Sequence, residues 1–149
     1  MRLRSEIPEL EGEAAWVNGE VSKADLVGKK PTLIHFWSIS CHSCKEAMPE
    51  VNKFRDRYKD KLNVVAVHMP RSEKDLDLGE IKKVAAEHGI TQPIFVDSKR
   101  KLTDIFENQY VPSYYVFDKN GKLRHFQAGS SGMKMLELRV KRVLDEVRF

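Results

Sequence analysis

The chain has two cysteines in 149 residues, and they stand three apart as Cys41-His42-Ser43-Cys44. Two thiols this close cannot staple distant parts of a fold, so the spacing points to redox chemistry or to metal binding. A C-x-x-C between a buried strand and a helix puts the first cysteine at the helix N-terminus and the second one turn inside. Unpaired backbone N–H groups and the positive end of the helix dipole then face the Cys41 sulfur and favour its thiolate. Its pKa is expected to fall below the free value of about 8.5. Residues three apart on a helix lie about 5–6 Å from each other, within reach of a disulfide. Cys41 is therefore the expected nucleophile towards a substrate disulfide, and Cys44 the thiol that resolves the mixed disulfide. His42, if protonated, would stabilise the thiolate further and make the disulfide more oxidising; otherwise it points into solvent.

Such a site needs a strand before it and a helix after it, and both are legible. Thr32–Trp37 (TLIHFW) is a short, almost wholly apolar run and reads as a central strand buried on both faces. Ala47, Met48, Val51, Phe54 and Tyr58 recur at helical spacing, which predicts a helix from about Ser43 to Asp60 kinked by Pro49. Asn63–His68 reads as a second buried strand and Glu80–His88 as a helix stopped by Gly89. Pro93–Val96 is a short strand and Leu102–Asn108 a short helix. Tyr114–Asp118 and Leu123–Gln127 flank Lys119-Asn120-Gly121 as a β-hairpin. A final helix from about Lys134 carries an apolar stripe of Leu136, Val140, Val143, Leu144 and Val147. Near the start, Asn18-Gly19 between Trp16-Val17 and Glu20-Val21 predicts an N-terminal β-hairpin. Alternating βαβ units followed by a hairpin predict one α/β domain over 1–149, with a central mixed sheet flanked by helices.

The run FWSISCHSCKEAMPEVN, Phe36 to Asn52, resembles the active-site strand and helix of the thioredoxin superfamily. Its TlpA/ResA-like branch fits best: an aromatic pair, C-x-x-C, a basic residue, then Met-Pro. A second anchor is Tyr110-Val111-Pro112-Ser113 followed by YYVFDKNGKL, and SKADLVGKKPTLIHFW resembles the branch's run into its first core strand. The resemblance covers nearly the whole chain. It implies a thioredoxin-like fold with a helix–strand insertion at about Pro70 to Pro93. It also implies a cis bond at Pro112 beside the disulfide, and a backbone at Val111 that pairs with an extended substrate segment. Trp37, at the exit of the strand, is expected to shape the substrate surface together with His42 and Ser43.

Three positions depart from that pattern. Ser43 stands where the family usually has Pro, which frees one more N–H to face the sulfurs. His35 stands six residues before Cys41, where thioredoxins place a buried carboxylate; a neutral, buried imidazole there could accept the proton of Cys44. Ala47 occupies the place of a Glu common in this branch, the acid having moved to Glu46. His68, His88 and His125 read as structural.

Composition bounds the rest. Hydrophobic residues make up 41% and charged residues 32%, too rich in core formers for a disordered chain. A chain of this length buries roughly 70% of its unfolded surface and needs no staple. The 26 basic and 22 acidic residues give a net charge of +4, but the two signs alternate, as in KFRDRYKDK, where a nucleic-acid surface would want one sign. No run approaches a membrane span, and the first ten residues carry no signal-like apolar stretch. The expectation is a cytoplasmic monomer that reduces protein disulfides without a cofactor beyond its own dithiol. It would be re-reduced by a thioredoxin-reductase-like enzyme or a small thiol, with no nucleic-acid or membrane partner. The alternative is a zinc or copper module in which a histidine joins Cys41 and Cys44, though the chain has no second ligand pair. Haem attachment fails because Lys45, not His, comes after Cys44. A thiol peroxidase lacks its run of Pro, Thr and a lone Cys.

Overall fold

In a computed structural model, described over residues 1–147, a six-stranded sheet runs in the order β1-β4-β3-β2-β5-β6. The strands are β1 Ala15–Val17, β2 Thr32–Trp37, β3 Asn63–His68, β4 Ile94–Val96, β5 Ser113–Phe117 and β6 Leu123–Ala128. β3 pairs in parallel with β2 and β4, whereas β1–β4, β2–β5 and β5–β6 are antiparallel. The sheet is therefore mixed, with the expected β-hairpin at one side. Helices are α1 Lys23–Leu26, α2 His42–Arg57, α3 Leu78–Glu87, α4 Lys101–Phe106 and α5 Met133–Asp145.

β2 lies at the centre because all six of its residues can be buried. The two-residue pleat sends Leu33 and Trp37 into a core layer shared with Met48, Val51 and Phe54 of α2, Ile81 of α3 and Leu136 of α5. Ile34 and Phe36 point the other way, towards Leu26 of α1 and Leu102 and Phe106 of α4. Phe106 anchors that second layer by edge contacts with Phe36 and Tyr115 at centroid distances of 5.1 and 4.8 Å. Both layers hold β2 from opposite sides, so its C-terminal end is a rigid platform for the turn that carries Cys41. In α5, Leu136, Val140, Val143 and Leu144 form the buried stripe, and Val147 lies past the helix end.

The N-terminal hairpin does not form. Asn18 and Gly19 do take positive φ, 68° and 128°, but Glu20-Val21 is not a strand and β1 pairs with β4 instead, Ala15 opposite Val96. Asn18 Nδ2 donates to the carbonyls of Ile90 (2.8 Å) and Gln92 (3.2 Å), which ties the turn to the segment entering β4. Trp16 packs edge-on to Phe95 at 5.3 Å. Covering the exposed edge of β4 satisfies more backbone than a two-stranded ribbon standing alone. The helix–strand insertion consists of a 3₁₀ turn at Glu73–Leu76, then α3 and β4. Gly89 ends α3 with φ +69°. Among the described residues, no helix is long and apolar enough to cross a membrane.

Candidate active site

β2 ends at Trp37, three residues turn the chain, and Cys41 becomes the N-cap of α2 with extended φ and ψ of −93° and 106°. From there its sulfur accepts the backbone N–H of Cys44 at 3.1 Å. A side chain at this position satisfies one of the helix's orphan donors, as an N-cap serine or aspartate would. Ser43 Oγ lies 3.6 Å from the same sulfur. Cys41 and Cys44 are joined as a disulfide with their Cα atoms 5.3 Å apart, and both residues are buried, at 2% and 1% exposure. In the reduced protein the same N–H and hydroxyl would face a thiolate, where hydrogen bonds to an anion are stronger than neutral ones.

The peptide bond Val111–Pro112 is cis. Ser113 is opposite Phe36 in the β2–β5 pairing, so Pro112 lies past the same end of β2 from which the chain leads to Cys41. Val111 is half-buried and packs against the layer that contains both cysteines.

His35 is fully buried in the middle of β2, opposite Tyr114 on β5 and Ala66 on β3. The pleat puts it on the face of Leu33 and Trp37, beneath α2. Arg55 Nη1 donates to Gln92 Oε1 at 2.9 Å, which turns the Gln92 amide nitrogen to His35 Nε2, also at 2.9 Å. Nε2 therefore accepts, and the imidazole is neutral with its proton on Nδ1. Burial, then the Arg55 charge, pushes its pKa down to about 3. The same burial that keeps His35 unprotonated makes it a weak base.

Of the side chains expected to shape the substrate surface, Trp37 is placed differently, whereas His42 is exposed. Trp37 is 1% exposed and packs edge-on to His68 at 5.1 Å. It belongs to the core rather than to a substrate surface, because the pleat directs it beneath α2 with Leu33. The His42 side chain is 88% exposed and pairs one turn along with Glu46, Nε2 to Oε1 2.7 Å, so it faces solvent. The metal reading finds its nearby histidines engaged: His42 with Glu46, His35 with Gln92, and His68 Nε2 with the Ile39 N–H at 3.2 Å.

Sequence reasoning missed how the turn before Cys41 is held. Ser38 Oγ donates to the Met69 carbonyl, Ile39 N to His68, and Ser40 Oγ to Asp75 Oδ2 at 2.9 Å. Arg71 Nη2 donates to the Ser40 carbonyl at 2.7 Å. Each of the three turn residues is thus bonded by the stretch 68–75. Some thirty positions separate the partners, and no local pattern announces such a pairing.

A family model described as "AhpC/TSA family" matches residues 3–126. The chain is 75% identical to the thiol-disulfide oxidoreductase YkuV of Bacillus subtilis (strain 168), over 98% of this chain and 99% of that one. It is 25% identical to the thiol-disulfide oxidoreductase ResA of Bacillus anthracis, over 92% of this chain and 73% of that one. A solution structure described as a thioredoxin-like protein in the oxidized form is 74% identical and superposes with a TM-score of 0.92, covering 99% of this chain and all of that one. Sequence, sheet topology and the closed Cys41–Cys44 ring agree: the chain belongs to the AhpC/TSA family, with a thioredoxin-like fold, and is a thiol–disulfide oxidoreductase.

Proposed function

We propose that the chain works in the reducing direction, passing two electrons from its dithiol to disulfides of partner proteins in the cytoplasm. The Cys41 thiolate attacks one sulfur of the substrate disulfide; a mixed disulfide forms and the substrate's other sulfur leaves as a thiolate. Cys44 then loses its proton and attacks the Cys41 sulfur, which closes the intramolecular disulfide and releases the second substrate thiol. A thioredoxin-reductase-like enzyme or a small thiol restores the dithiol, and the chain acts as a monomer. The carrying observation is the Cys41 sulfur at the N-cap of α2, accepting the Cys44 N–H at 3.1 Å.

His35 is assigned as the acceptor of the Cys44 proton. Its neutrality and its place under α2 support the role, while its low basicity confines it to a transient share of the proton. His35→Ala resolving mixed disulfides at the wild-type rate removes the assignment. Ser43 lies against the attacking sulfur, and the Val111 backbone before Pro112 receives an extended substrate strand. Direction is tested by titrating the dithiol in glutathione or dithiothreitol buffers. A potential near the thioredoxin value of about −270 mV supports a reductase, and one near about −120 mV reverses the direction.

A further inference from the structure

The turn from β2 to Cys41 is flanked by two opposite charges that meet on one residue. Arg71 reaches Ser40 with three donors: Nη2 to the carbonyl at 2.7 Å, and Nε and Nη2 to Oγ at 3.2 and 3.1 Å. Asp75 takes the hydroxyl proton of Ser40 on Oδ2 at 2.9 Å and the Arg71 backbone N–H on the same atom at 2.8 Å. Ser40 Oγ is therefore a donor to the carboxylate and an acceptor from the guanidinium. Asp75 is 1% exposed, and its other oxygen, Oδ1, is buried without a hydrogen-bond partner. A buried carboxylate with one bare oxygen costs free energy that an asparagine in the same place would largely avoid. Holding Ser40 in place does not by itself require that charge.

We propose that Asp75 and Arg71 are positioning residues for Cys41, which hold its turn through Ser40 and act on the reactive sulfur with opposite electrostatic sign. Asp75 disfavours a negative sulfur at Cys41 and so weights the pair towards the disulfide, which favours giving electrons away. Arg71, in contact with the carbonyl of the residue before Cys41, favours the thiolate and so keeps the attacking form populated. The helix N-terminus supplies a fixed positive field; Asp75 offsets part of it and Arg71 adds to it. The proposal deepens the reductase reading and rests on Cys41 being the attacking thiolate.

Iodoacetamide alkylation of the reduced protein as a function of pH gives the pKa of Cys41, and glutathione titration gives the potential of the pair. Asp75→Asn keeps an acceptor for Ser40 and removes the charge; Arg71→Gln keeps a donor and removes the opposite charge. A unit charge on the order of 10 Å from the sulfur, at an effective dielectric of about 40, moves a pKa by about half a unit, or the alkylation rate at a fixed pH below the pKa by about threefold. Asp75→Asn should lower the Cys41 pKa and make the disulfide more oxidising, and Arg71→Gln should raise the pKa and make it more reducing. Shifts of the same sign in both variants, or none in either, overturn the proposal, because mere loosening of the turn has no opposed signs. If Asp75→Asn fails to fold, exposed Arg71→Gln decides alone, and an unchanged or lowered pKa refutes the idea. Wild-type protein in which Cys44 alkylates first would instead sink the assignment of the nucleophile, a separate outcome.

Discussion

Two imidazoles are buried in their neutral form close to the working end of the sheet, and acid should act on the fold through them. Burial, then Arg55, lowers the His35 pKa from 6.5 to about 3. Burial lowers that of His68 to about 4, with the Asp75 charge pulling it part of the way back. As pH falls below 6.5 the unfolded chain takes up these protons and the folded one does not. The stability is therefore full above pH 6.5 and is lost as pH falls towards about 4 for His68 and about 3 for His35. At pH 5 the unfolded state gains RT ln(1 + 10^1.5), about 2 kcal/mol, for each histidine, or about 4 kcal/mol together. That is a large share of the roughly 5–15 kcal/mol of a typical domain. The carboxylates of Glu6, Asp56 and Glu146 are held below their ordinary range by lysine and arginine partners, so the interval from pH 7 to 5 isolates the imidazoles. Urea unfolding of wild type and His35→Leu at both pH values measures the effect. Wild type should lose about 4 kcal/mol between them and the variant about half that, whatever its stability at pH 7. Equal losses in the two proteins would refute the reasoning for His35, and no loss in either would refute it for both. A protonated His68 can no longer accept the Ile39 N–H, so disulfide reduction by the folded protein should hold down to pH 5 and fall as pH approaches about 4.

Cys44→Ser should accumulate a mixed disulfide with a disulfide-containing protein such as insulin, visible by mass spectrometry, while Cys41→Ser should form none and show no turnover; trapping by the latter would reverse the two roles. Ser43→Ala removes the hydroxyl 3.6 Å from the Cys41 sulfur. Its alkylation profile should move up by about half a pKa unit, as expected for the loss of one long, partly exposed hydrogen bond to an anion. Gly121→Ala should cost about 1–3 kcal/mol in thermal or urea unfolding, because φ there is +76° and a Cβ would meet Val27 Cγ2 at 2.8 Å. Its redox potential should stay at the wild-type value.

The parts of the fold that depend on local chemistry were legible. TLIHFW announced a strand buried on both faces, Cys41 to Cys44 announced the head of a helix, and Asn120-Gly121 announced the hairpin of β5 and β6. Asn18-Gly19 gave the right backbone angles and the wrong partner, since turn residues set φ while the choice of neighbour belongs to whichever edge is open. Trp37 was legible in principle: the two-residue period that puts Leu33 under α2 puts Trp37 there too. The contacts of His35 with Gln92, and of Ser40 with Arg71 and Asp75, join strands and loops remote in sequence. Polar residues in such contacts look no different in one sequence from residues facing water.

The four-residue ring at the head of α2 has an energetic corollary. By loop-closure entropy a cross-link so short restricts the denatured chain by about 2 kcal/mol, against nearly 5 for one spanning about a hundred residues. Opening it therefore releases little conformational restraint on the denatured chain, and the fold rests on the packing of α2 against the sheet rather than on the cross-link. The molecule can gain and surrender electron pairs repeatedly with only a small change in its overall stability.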